Sequence, residues 1–82
     1  MYEVGRKSTG KEEVMTNTTE FKIALLRNKL TAAELADKIG ISRVSMSYKM
    51  NNIRSFTVTE ISEIAKVLNL SLVEKERIFF GN

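Results

Sequence analysis

Four times between Asn17 and Glu74 a short polar residue is followed three positions later by glutamate: Asn17-Thr-Thr-Glu20, Thr31-Ala-Ala-Glu34, Thr57-Val-Thr-Glu60 and Ser71-Leu-Val-Glu74. This spacing lets the first side chain accept the N–H of the fourth residue, while the fourth side chain reaches back to the first backbone N–H. Each instance therefore starts a helix, and Ser42 offers a fifth start. Apolar residues follow at helical spacing. Phe21, Ala24, Leu25 and Leu26 follow the first start, and Leu35, Ala36 and Ile39 the second. Met46 and Met50 follow Ser42, and Val58, Ile61, Ile64, Ala65 and Leu68 make the fourth stripe. Gly40 suits the left-handed stop of the second helix, and Asn51-Asn52 marks a turn. No proline interrupts any of these runs. The expected fold is all-α, with five short helices closing near Phe79.

The composition narrows the chemistry. The 82 residues supply one domain at most, and they include neither histidine nor cysteine. General acid–base work at neutral pH, thiolate metal sites and disulfide staples therefore have no obvious donors. Neither a glycine-rich dinucleotide loop nor a phosphate-binding loop is present, so no enzyme activity, metal or cofactor is expected. There is no apolar run of membrane-span length and no secretory signal, and the expected location is the cytoplasm. Charge is unevenly placed. From Lys22 to Ser55 seven basic residues face only Glu34 and Asp37, a local charge of +5, whereas the chain from Phe56 onward carries −1. Basic charge gathered into one half is a footprint for a polyanion, and a plain solvated face is its bland alternative.

Residues 1–16 lack apolar periodicity and are expected to form a flexible tail ahead of a domain spanning 17–82. Lys11-Glu12-Glu13 can be encoded by AAG-GAG-GAA, a purine-rich ribosome-binding sequence just upstream of Met15. Translation starting at Met15 would make residues 1–14 a read-through leader, which an intact mass from the native host would decide. The competing reading is an arm that touches DNA through Arg6, Lys7 and Lys11.

The segment from Thr31 to Asn52 carries the functional signal. A short helix, the tight turn Gly40-Ile41-Ser42 and an immediate third helix hold two helices at a steep angle, as in a helix-turn-helix. Ala36 is small where the third helix passes, and Ile41 and Met46 fill the angle. On spacing alone an ordinary helical corner fits equally well.

The residues Leu35-Ala36, Lys38-x-Gly40, Met46 and the run from Asn51 to Thr57, in register with Ile64-Ala65-Lys66-Val67-Leu68, resemble the phage Cro/repressor type of helix-turn-helix. This lambda-repressor-like family of small regulators is also named for xenobiotic-response elements. The resemblance runs from about Phe21 to Phe80, and some small phage members share the final Phe79-Phe80. It implies a compact lambda-repressor-like domain, double-stranded DNA as partner, a palindromic operator and a homodimer at least on DNA. No membrane or small-molecule partner is implied. Two positions depart from the family's frequent glutamines, being Ala32 and Arg43 here, so base preference does not carry over. Lys49 stands where an apolar residue is frequent, with Met50 taking the core role.

With Met46 and Met50 inward, the third helix shows Arg43, Val44, Ser47 and Tyr48 outward. The resemblance makes these the base-reading residues: arginine bidentate to guanine, valine against a thymine methyl, serine as donor or acceptor. Tyr48 reaches a base or phosphate, or else closes the rim of the core. Phosphate contacts are expected from Thr31, Ala32, Ser42, Lys49, Asn51, Asn52, Arg54 and Ser55. Lys38, beside Asp37, has a weaker claim. Phe80 is expected to be surplus to the core and available for a dimer contact. Two other functions fit the same fold: an antirepressor that grips another regulator, and a nonspecific nucleic-acid packer.

Overall fold

A computed structural model describes residues 15–80, and the expectations for the leader or arm before Met15 lie outside them. Five helices follow one another: α1 Thr18–Arg27, α2 Ala32–Ile39, α3 Arg43–Met50, α4 Val58–Val67 and α5 Leu72–Phe79. Each begins on the residue the capping pattern predicts. The side chains of Asn17, Thr31, Ser42, Thr57 and Ser71 each accept the N–H three residues on, and reciprocal boxes close at Thr31–Glu34, Thr57–Glu60 and Ser71–Glu74. These bonds satisfy N–H groups that a helix start otherwise leaves without partners.

The core is built around three phenylalanines. Phe21 of α1, Phe56 before α4 and Phe79 of α5 are all buried, with ring centroids 5.5–5.8 Å apart. Phe79 meets both other rings edge-on, the arrangement that the ring quadrupole favours. Around them pack Ala24, Leu25, Leu35, Ala36, Met46, Met50, Ile61, Ile64, Leu68 and Ile78. The helix stripes therefore converge on a single core.

Three sequence expectations change here. Leu26 is 75% exposed and Val58 81% exposed. Leu25 already takes the inward position on α1, and a neighbour about 100° round the helix faces elsewhere. Leu26 instead lines an open groove with Lys22, Leu30 and Ala32. On α4 the buried stripe starts a turn later than expected, at Ile61. Phe80, expected to be spare, is half-buried and packs against the core.

The expected boundary at Asn17 also moves. Met15 N–H donates to the Phe79 carbonyl at 3.1 Å and Asn17 N–H to the Ile78 carbonyl at 2.6 Å. Thr16 is buried between them. Its backbone N–H donates to Asn52 Oδ1, and Asn52 Nδ2 donates to its carbonyl, both at 2.9 Å. Thr18 Oγ1 adds a bond to the Met50 carbonyl. Met15 and Thr16 are thus part of the packed domain, clasped to the end of α3 and to α5.

Gly40 ends α2 at φ +82°, and a Cβ there would meet nothing within 4 Å. The cost of Gly40→Ala is therefore backbone strain alone, about 1–2 kcal/mol. Urea unfolding should show a lower midpoint with an unchanged slope. An unchanged midpoint would mean that this turn does not require the left-handed conformation.

Candidate nucleic-acid interface

Helix α3 sits on α2 through a three-residue turn. Both the Gly40 and Ile41 N–H groups donate to the Ala36 carbonyl, at 2.9 and 3.0 Å, which fixes the direction of the turn. Ala36 is fully buried, leaving room for α3 to cross, and Met46 and Ile41 fill the angle as the sequence suggests. Met46 and Met50 anchor the inner face of α3, so the opposite face is turned away from the core.

That opposite face carries Arg43, Val44, Ser47 and Tyr48, related by single steps and by the four-residue helical repeat. Arg43, Val44 and Ser47 are exposed, Val44 at 62% although apolar. Tyr48 is 40% exposed. The Arg54 guanidinium lies 5.8 Å from its ring centroid, so the α3–α4 loop folds back over the end of this surface. The Tyr48 carbonyl accepts the N–H groups of both Ile53 and Arg54, which holds the loop there.

The expected phosphate contacts divide. Thr31, Ser42, Asn51, Arg54 and Ser55 are exposed. Asn51 spends one amide hydrogen on the Ser47 carbonyl, at 2.8 Å. At the start of α2, Glu34 takes the Thr31 N–H, leaving the helix-start N–H groups of Ala32 and Ala33 to face an anion. At the start of α3 the N–H groups of Arg43 and Val44 hold the equivalent place.

Lys49 and Asn52 have other work. Lys49 Nζ donates to both Glu60 oxygens at 2.6 and 2.7 Å, with the two side chains only 13% and 17% exposed. The lysine stem fills the place expected of an apolar residue, and its charge is neutralised by α4. Burial pushes the Glu60 carboxyl up, but hydrogen bonds from Lys49 and the Thr57 backbone N–H outweigh it and leave the carboxyl below its ordinary range. Asn52 sits at φ +64° with both amide groups committed to Thr16. These two residues hold the C-terminal end of α3 in place: the Lys49 charge is turned to Glu60, while the exposed Asn52 has a second amide hydrogen beyond the one given to Thr16.

A partner for Arg43 was missed in the sequence. Its Nη2 donates to Asp37 Oδ2 at 3.0 Å across the turn, with both side chains largely exposed. Asp37 therefore pairs with Arg43, six residues on, rather than with its neighbour Lys38. Adjacent helix residues point in different directions, so only the turn brings an acid to the head of α3.

A family model described as helix-turn-helix matches residues 21–75, which is most of the chain and includes every element of this surface. The chain belongs to the lambda-repressor- and Cro-like helix-turn-helix family. Its fold is the all-α, five-helix domain of that family, and membership makes double-stranded DNA the partner class. Neither a curated protein nor a solved structure gives a significant match. Within this helix-turn-helix, α2 packs against α3, whose outer face is exposed among the described residues. Among the described residues, no helix is long and apolar enough to cross a membrane.

Proposed function

We propose that this helix-turn-helix protein is a sequence-specific transcriptional regulator of Cro or repressor type, encoded by a phage or prophage. It acts in the cytoplasm by occupying an operator and excluding polymerase. The observation that carries this reading is the outer face of α3. Arg43, Val44, Ser47 and Tyr48 lie together there, exposed, while Met46 and Met50 do the packing. A helix of eight residues with such a face fits the major groove, where each base pair shows a distinct pattern of donors and acceptors. Arg43 reads guanine, Val44 meets a thymine methyl, and Ser47 and Tyr48 contact neighbouring edges. Thr31, Ala32, Ser42, Asn51, Arg54 and Ser55 contact the DNA backbone and set the register. Two copies bind a palindrome with half-sites about 34 Å apart. Regulation comes from concentration and competition for sites.

Selection from random duplexes tests this reading, with recovery of a palindromic consensus as the expected result. Arg43→Ala should then relax one position in each half-site, at about 1–3 kcal/mol per contact. Arg54→Ala should weaken all sequences alike and reduce the salt slope by roughly one. Equal affinity for every duplex with a steep salt slope would instead mark a nonspecific packer. Tight capture of another regulator without DNA affinity would mark an antirepressor.

A further inference from the structure

The basic stretch from Lys22 to Ser55, which includes the proposed DNA-facing surface, contains two acids, and only one has a local structural task. Glu34 closes the capping box at the start of α2. Asp37 caps nothing and is not in the core; its side chain is 61% exposed, and its Oδ2 accepts Arg43 Nη2. Stability does not account for this contact, since exposed ion pairs add little to it. A carboxylate at the edge of a phosphate-facing surface also repels DNA of every sequence. The contact therefore carries a cost in general affinity.

What it supplies is orientation. A free arginine is long and rotamer-rich and can reach a nearby phosphate as readily as a base. Its guanidinium, however, is a planar fork that reads guanine only in one attitude. A bond from one nitrogen to Asp37 uses one of its five N–H donors and leaves the others for the surface shared with Val44 and Ser47. On the correct base pair Arg43 can hold both partners, so Asp37 stays neutralised. On a wrong one, Arg43 can recover a phosphate contact only by leaving Asp37 unpaired beside the DNA.

We propose that Asp37 is a specificity-determining positioning residue. It holds Arg43 as a base reader and penalises sequences that offer this arginine no acceptor pair. The inference rests on the proposed groove reading by Arg43, and its test separates the two.

The full chain, Asp37→Ala, Asp37→Asn, Arg43→Ala and the Asp37→Ala/Arg43→Ala double variant are titrated against three kinds of duplex. These are the selected consensus, consensus duplexes changed at the base pair read by Arg43, and random duplex. Asp37→Ala should bind random duplex more tightly than the parent, while its preference at the Arg43 base pair falls at least about fivefold. Asp37→Asn, which keeps an acceptor without the charge, should fall between. The double variant should show no further loss of preference beyond Arg43→Ala. Thermal melting should be nearly unchanged in Asp37→Ala, as expected for an exposed pair. A gain in affinity for random DNA together with a loss of preference at one base pair is not what a merely structural residue gives. If Asp37→Ala weakens all duplexes equally, or keeps full preference where Arg43→Ala loses it, the inference is overturned while the groove reading stands. If Arg43→Ala itself changes no preference, the groove reading fails and takes the inference with it.

Discussion

Phe21→Ala should remove about 3–5 kcal/mol of stability, the range for deleting a fully buried phenylalanine from a packed core. Phe21 is completely buried and touches both other members of the aromatic cluster, so two ring contacts disappear with the side chain. The aromatic contacts are worth about 0.5–1.5 kcal/mol each beyond the area they bury. Small domains have only about 5–15 kcal/mol in hand, so the variant approaches the unfolding threshold. Thermal melting followed by far-UV circular dichroism should show Tm reduced by more than about 10 °C, at about 4–8 °C per kcal/mol for a domain of this size. Leu26→Ala and Val58→Ala are the matched controls. Both side chains are exposed, and each change should stay within about 0.5 kcal/mol. A large loss from either control, or a small one from Phe21→Ala, would contradict the packing described.

Lys49→Met comes next in size. It keeps the length of the stem but leaves Glu60 in a mostly buried place without its ammonium. Breaking a buried pair costs about 3–5 kcal/mol, and the remaining exposure here reduces that to about 2–3 kcal/mol. The effect depends on pH in a fixed direction. The Glu60 carboxyl lies lower in the folded protein than its ordinary 4.5, so its contribution is fully present above that value. It is lost as pH falls through the folded value. Removing Lys49 raises the folded value. The stability gap between parent and variant should therefore be widest near neutral pH and close as pH drops below 4.5. Urea unfolding at neutral and acid pH measures it. Adding Glu60→Gln should restore much of the loss, because an amide keeps the Thr57 cap without a buried charge. A gap that stays constant with pH would show that Lys49 acts through packing alone.

The helices were legible because their determinants are local. Each cap lies three residues from the N–H it accepts, and Gly40 follows directly on the helix it ends, so short spacing is enough to place them. The inner and outer faces of α3 follow from the same period, with Met46 and Met50 on one side and Arg43, Val44 and Ser47 on the other. Long-range contacts were not legible. Asn52 reads as a turn residue with a polar tip, and nothing nearby reveals that Thr16, 36 residues away, takes both of its amide groups. Lys49 reads as a free cation until α4 brings Glu60 to it. Leu26 and Val58 fit a helical stripe, but whether a stripe is covered depends on its neighbours. Asp37 and Arg43 are linked by the turn and by no periodic rule. Asn52 and Lys49 are also the residues that hold the end of α3, so the sequence pointed to the exposed face of that helix better than to its supports.

Insertion of α3 into the major groove is tested most directly by removing one acceptor from the DNA. In the selected site, the guanine assigned to Arg43 is replaced by 7-deazaguanine, which lacks the N7 acceptor. Affinities of the parent and of Arg43→Ala for both duplexes form a double-mutant cycle. The expected result is a clear loss of parent affinity, part of the about 1–3 kcal/mol that a bidentate contact provides, and no further loss in Arg43→Ala. Equal losses for the two proteins, or no loss for either, would contradict the placement of Arg43 against that base and of α3 in that groove.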